Sequence, residues 1–189
     1  MRRIRAFAAA FLMVAAITVG LGSPAHADPD FGAQARSAGL TSAEAASLQK
    51  RVDGYLAKLG GTQVAANKID LDGKGVLLLT LPDEAKVREL GTSRGVSAQY
   101  NWWDCGLGNF CAFKAQNYTG DMLVYTLCAY QLSMPFADFG SYYNNQTGSV
   151  SAHFYDYNHV YMYDSLRSRS MAPKFYWLYV YWIKPCGGV

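Results

Sequence analysis

The spacing of hydrophobic and polar positions changes character midway along the chain. Between residues 42 and 59, Leu48, Val52, Tyr55, Leu56 and Leu59 recur at helical spacing. Thr41-Ser42-Ala43-Glu44 precedes them with the spacing of a capping box, and Gly60-Gly61 follows as a stop. This pattern predicts an amphipathic helix over 42–59. Residues 63–71 and 76–81 then read as two strands of a hairpin over 63–81, turned by Asp72-Gly73-Lys74-Gly75. Pro82 and the acids after it predict a short helix over 83–90, while 28–40 reads as small, polar and loose.

From residue 96 the helical period disappears. Short apolar–aromatic runs take its place at 110–114, 122–126, 150–155, 160–163 and 176–183, separated by Gly, Asn and Asp turns. Strands this short, with turns this frequent, predict an all-β C-terminal domain built as an antiparallel sandwich. The expected organisation is therefore a small α+β helix–hairpin–helix leader over 28–95 followed by a β domain over 96–189.

Composition sharpens the division. Of 27 aromatic residues, all but Phe7, Phe11, Phe31 and Tyr55 lie beyond residue 95, as do all four cysteines. The N-terminus has the form of a secretory signal, residues 1–27. Arg2, Arg3 and Arg5 precede an apolar run from Ala6 to Leu21, and Ala25-His26-Ala27 supplies a cleavage pattern between Ala27 and Asp28. That run is shorter than the ~20 residues of a spanning helix, so no membrane attachment is expected after its removal. Beyond residue 27, Lys+Arg and Asp+Glu balance at 14 each, and without a basic stripe a nucleic-acid partner is not expected. The Gly91–Gly95 stretch reads as a linker, with Arg94 as a processing point for a removable leader.

An even number of cysteines in an exported chain implies two disulfides among Cys105, Cys111, Cys128 and Cys186. Three connectivities are possible. Local plus long-range pairing would join Cys105 to Cys111 and Cys128 to Cys186, for about 2 and about 4 kcal/mol of chain-entropy stabilisation. Zinc is disfavoured because no Cys-x-x-Cys knuckle is present.

Other chemistry is sparse. Asp70-Leu71-Asp72-Gly73 lacks the third acid and distal Glu of a calcium loop. His153, Asp156 and His159 flank a predicted turn and are the one candidate set for a metal or an acid–base role. No Ser or Cys nucleophile pattern accompanies them, so the chain is not read as an enzyme, and no cofactor is expected. Asn117-Tyr118-Thr119 and Asn145-Gln146-Thr147 are glycosylation sequons, relevant only in a eukaryotic secretory route.

One motif is more specific. Phe113, Tyr118 and Gly120 have the aromatic-x4-aromatic-x-Gly spacing in which a glycine at positive φ lets an aromatic pack across a folded hairpin. Together with Cys105, Phe110-Cys111-Ala112-Phe113, Tyr125, Cys128, Gly140-Ser141, Asn144–Gly148 and Trp182–Cys186, it resembles the secreted peptidase-inhibitor family typified by the Streptomyces metalloproteinase inhibitor. The likeness covers residues 100–187. It implies a βγ-crystallin-like Greek-key domain, a monomer, and non-covalent occupation of an extracellular peptidase site. A second motif is degenerate, because Tyr161-Met162-Tyr163-Asp164 is followed by no glycine. The crystallin calcium pattern would place ligands at Asn144, Asn145 and Ser149, but Gly148 stands where a hydroxyl belongs.

No inhibitory loop follows residue by residue. Ser165–Lys174 and Gly106–Asn109 are the two candidates, since an inhibitor loop must be exposed yet pre-ordered. The alternative is a secreted binding module whose aromatics, such as Trp102-Trp103, Tyr142-Tyr143 and Tyr176-Trp177, contact glycan, cell envelope or another protein. Clustered exposed aromatics would favour that alternative.

Overall fold

A computed structural model describes residues 30–90, 104–128 and 130–187. The signal segment with Ala27 and Asp28, the linker with Arg94, and Trp102-Trp103 lie outside the described residues. Two helices come first, α1 (Phe31–Ser37) and α2 (Ser42–Leu59). Thr41 caps α2: its hydroxyl accepts from the Glu44 N–H, and the Glu44 carboxylate accepts from the Thr41 N–H. The supposedly loose stretch before Leu40 thus contains α1, whose Asp30 N-cap accepts from the Ala33 N–H.

The strands are β1 (Thr62–Ala65), β2 (Lys68–Asp70), β3 (Gly75–Leu78), β4 (Phe110–Ala115), β5 (Thr119–Tyr125), β6 (Leu132–Ser133), β7 (Phe139–Asn144), β8 (His153–Tyr155), β9 (Tyr161–Asp164), β10 (Ser170–Tyr176) and β11 (Trp182–Lys184). They form two antiparallel sheets, one ordered β1-β2-β3-β5-β4-β7-β10 and the other β6-β11-β8-β9. Disulfides join Cys105 to Cys111 and Cys128 to Cys186.

Four local expectations are corrected. The strand read over 63–71 breaks at Ala66-Asn67 into β1 and β2, giving a three-stranded meander in place of a hairpin. Residues 83–90 are not helical. Asp83 adopts φ +61°, and Val87 and Leu90 are buried, while the Asn67 side chain donates to the Arg88 carbonyl and accepts from the Leu90 N–H. Tertiary packing overrides helix propensity there. The run at 176–183 is not one strand, because β10 ends at Tyr176 and a turn carries the chain through Trp177 to β11. Finally, β10 occupies the second half of the stretch read as a loop over 165–174. Pro173 is tolerated within it because β10 is the sheet's edge and its pairing with β7 is irregular between Ala172 and Phe175.

The larger sheet unites both halves of the chain. β3 pairs with β5 along Val76–Val124, Leu77–Leu123 and Leu78–Met122. Paired residues share a face, so one apolar row runs Leu77, Leu123, Ala112, Tyr142, Ala172 across five strands. Leu48 and Val52 of α2 and Phe154 and Ile183 of the smaller sheet belong to the same buried cluster as that row. The helix and the second sheet therefore pack side by side on one face. On the other face Leu78, Met122, Phe113 and Cys111 pack with Val87 and Cys105. Trp177 is fully buried within the main core, its ring 4.4 Å from Phe175 and 5.9 Å from Phe154, and its indole N–H donates to the Phe113 carbonyl. Gly140 permits that contact: a Cβ there would lie 2.2 Å from the Phe113 oxygen and 2.3 Å from the Trp177 Nε1.

Candidate functional site

Two loops are tethered at one end of the larger sheet by consecutive asparagines at the end of β7. Asn145 holds the loop 106–109. Its N–H donates to the Asn109 carbonyl at 3.0 Å, its carbonyl accepts from the Gly108 N–H at 2.9 Å, and its Nδ2 donates to the Cys105 carbonyl at 2.6 Å. The Cys105–Cys111 bridge closes the same loop, and Leu107 at its tip is 63% exposed.

Asn144 does the same for the loop that links β9 to β10. Its Nδ2 donates to the carbonyls of Val150 and Leu166, and its own carbonyl accepts from the Arg169 N–H at 2.7 Å. The Leu166 N–H donates to the Tyr142 hydroxyl at 2.9 Å. Ser165 is buried, with its hydroxyl accepting from the Ala152 N–H and donating to the Leu166 carbonyl. Both ends of 165–169 are thus fixed, while Leu166 is 55% exposed and Arg167 points into solvent. Burial of Tyr142 pushes its phenol above the usual tyrosine range, keeping it a neutral hydrogen-bonding group at ordinary pH.

These commitments bear on the calcium candidates. The Asn144 side-chain oxygen accepts from the Gln146 N–H and Nε2, and that of Asn145 accepts from the Tyr143 hydroxyl. Both residues are buried, whereas Ser149 is exposed at φ +60°. The asparagine pair is a tether between loops, with its oxygens occupied by protein donors.

The Phe113, Tyr118 and Gly120 motif forms the turn between β4 and β5. Phe113 and Tyr118 meet edge to face at 5.7 Å, and Gly120 adopts φ +78°. The Ser141 hydroxyl fastens the turn, accepting from the Tyr118 N–H and donating to the Ala115 carbonyl.

The histidine set does not converge. His153 contacts Asp164 through Nδ1, and His159 contacts Gln131 and stacks on Trp182 at 4.3 Å. Asp156 accepts from the N–H groups of Asn158 and Val160 in its own turn. Among the described residues no group of three or more His, Cys, Asp or Glu could hold a metal ion.

Exposed aromatics gather at strand ends and in turns. Tyr157 meets Tyr181 at 5.5 Å, Phe139 meets Tyr176 at 4.6 Å, and Tyr176 meets Tyr179 at 6.5 Å, all five substantially exposed. The adjacent pair at the end of β10 divides between surface and core, with Tyr176 out and Trp177 fully buried.

Sequence reasoning missed one polar centre altogether. Asp121, next to Gly120 in the motif, is buried beneath α2. Its carboxylate accepts from the Arg51 guanidinium, the Tyr55 hydroxyl at 2.7 Å, and the N–H and hydroxyl of Thr80 at 3.0 and 3.1 Å. Burial first, then the Asp121 charge, pushes the Tyr55 phenol far above its usual range. No sequence signal marks this centre, since its members lie up to 70 positions apart. Among the described residues no helix is long and apolar enough to cross a membrane. Comparison of the chain with protein-family models, with curated proteins and with solved structures finds no match.

Proposed function

We propose that the chain is a secreted inhibitor that occupies the active-site cleft of an extracellular peptidase, a metallopeptidase foremost, without covalent chemistry or cofactor. The observation that carries this reading is the loop 165–169: an exposed Leu166-Arg167 pair on a backbone fixed at both ends by Asn144, Tyr142 and Ser165. A loop ordered before docking loses little entropy on binding, the chief physical requirement of a substrate-like inhibitor. Leu107 on the second tethered loop is likewise exposed and apolar. The proposed fold family is the βγ-crystallin-like one, supported by the folded β4–β5 turn with Gly120 at positive φ. The proposed location is outside the cell, supported by the signal-like N-terminus and two disulfides.

The test is a titration of residues 28–189 against thermolysin-like and subtilisin-like peptidases. Tight, reversible inhibition is expected, weakened about a hundredfold by L166A, a change of ~2.7 kcal/mol typical of a central interface residue. Absence of inhibition across the panel sinks the reading.

The second reading, a non-inhibitory binding module, is favoured by the exposed tyrosines around Tyr157, Tyr176, Tyr179 and Tyr181. It expects retention on insoluble cell-envelope polysaccharide that Tyr157→Ala with Tyr181→Ala abolishes, with L166A behaving as the unaltered protein.

A further inference from the structure

A cleft of about 810 Å³ opens where the C-terminal half of α2 faces the segment Pro135–Phe139. Only the docking of residues 30–90 on the β region creates it, because one wall is Arg51, Tyr55 and Lys58 and the other is Lys114, Phe136 and Phe139. Its volume lies within the ~300–1,000 Å³ of typical small-molecule sites.

The cations lining it are not equivalent. Asp121 accepts from Arg51 and both donors of Thr80 through Oδ1 and from Tyr55 through Oδ2, with Lys114 a more distant fifth donor to Oδ2. Lys114 reaches Oδ2 only at 3.5 Å and is half exposed, so two of its three ammonium donors remain to spare. Lys58 is exposed and has no ion-pair partner among the described residues. The walls between them are apolar, from Tyr55, Pro135, Phe136 and Phe139. One opposing acid, Asp138, lines the cleft and accepts from the Phe139 N–H. Three cations against Asp121 and Asp138 leave a single positive charge.

We propose that this cleft binds an apolar monocarboxylate, its carboxylate held by Lys58 and Lys114 and its apolar part against Phe136 and Phe139. Asp138 discriminates against dianions, and the aromatic wall discriminates against acetate-sized acids. The ligand's source is either the free C-terminus of a peptide or a free aryl or alkyl acid, which share this chemistry.

Four probes separate the outcomes in titrations of residues 28–189 followed by calorimetry and amide NMR: 3-phenylpropionate, its primary amide, phenylsuccinate, and a peptide ending in free Phe. Binding of the acid is expected to shift the amides of Gly54, Lys114, Gly120 and Ala137, with the amide and the dianion each binding at least about tenfold more weakly. Lys58→Met should weaken the acid about tenfold while leaving the melting temperature unchanged, since Lys58 is exposed and unpaired. Binding of the peptide alone identifies a peptide C-terminus as the ligand; binding of both identifies a free acid as sufficient. Equal binding of acid and amide, or no shift with any probe, overturns the proposal. Peptidase inhibition by Lys58→Met is unaffected in either case, so this site and the loop 165–169 fail or succeed separately.

Discussion

Residues 30–90 and residues 104–187 are stabilised by different means and share one sheet. The first region has no cysteine and a single aromatic in its main cluster, and relies on the aliphatic stripe of α2 over β1–β3. The second has two disulfides and a nest of rings around Trp177 and Phe154. A break in composition at residue 96 thus does not coincide with a break in structure, since β3 completes the sheet of the second region and Asp121 receives its partners from the first. Composition reports how a region buries its surface; pairing decides whether it is separable. Removal of the first region would strip β5 of β3, one of its two neighbours, and leave Asp121 without Arg51, Tyr55 and Thr80, which argues that residues 30–90 stay with the working molecule.

The largest test of that view is the long bridge. Replacing Cys128 and Cys186 by Ser should cost about 4 kcal/mol, because the bridge closes a separation of 58 residues. Trp177 and Trp182 lie in the second region and both described α-helices in the first, so with Trp102 and Trp103 replaced by Phe, tryptophan fluorescence and helical circular dichroism report the two regions independently. Coincident urea transitions, shifted together by the double substitution, are expected. Two separate transitions would break the comparison.

Asp121→Asn comes next, at about 3 kcal/mol. The penalty sits at the low end for a broken buried ion pair because Arg51 remains a third exposed and can turn to water. The two probes should again move together. A loss seen only in the helical signal would mean that the first region merely rests on the second.

Local features were legible in the sequence and long-range ones were not. The 42–59 helix follows from its stripe and its Thr41–Glu44 box, all within one segment. The β character beyond residue 96 follows from alternation and turn residues. By contrast, β10 hides behind Pro173 and an irregular register, and 83–90 carries helix-like residues that the buried Asn67 holds in another conformation. Asn144 and Asn145 look like any turn pair; only the fold reveals that they fasten residues 40 positions before and 22 after them. The loop proposed as the functional site was therefore visible as a candidate, and its tethers were not.

Alkaline pH sharpens the comparison further. Burial raises the phenols of Tyr55 in the first region and of Tyr125 and Tyr142 in the second above the ordinary value of 10.0. With folded values above unfolded ones, their contribution is complete below pH ~10 and is lost as pH rises toward the folded values. Stability should therefore fall above that pH in a single step, read as concerted tyrosinate absorbance with loss of both spectroscopic signals. Stepwise titration of Tyr55 alone would show the first region opening on its own.

The smallest effect tests how far the first region depends on its own local order. Thr41→Ala removes the cap of α2 and should cost about 1 kcal/mol. The Thr41 hydroxyl, then its N–H, hold the Glu44 carboxyl below its usual range, so this contribution is present at neutral pH and is lost as pH falls through the lowered folded value. The stability difference between Thr41→Ala and the unaltered protein should accordingly shrink in acid. Because α2 is anchored at Arg51 and Tyr55, two to four turns from its cap, the lost energy should appear in the global unfolding transition and leave amide exchange at Asp121 tied to that transition. Faster exchange in α2 with no change in global stability would instead mark the helix as a separately fraying unit, and the shared sheet, rather than the helix, as the true joint between the two regions.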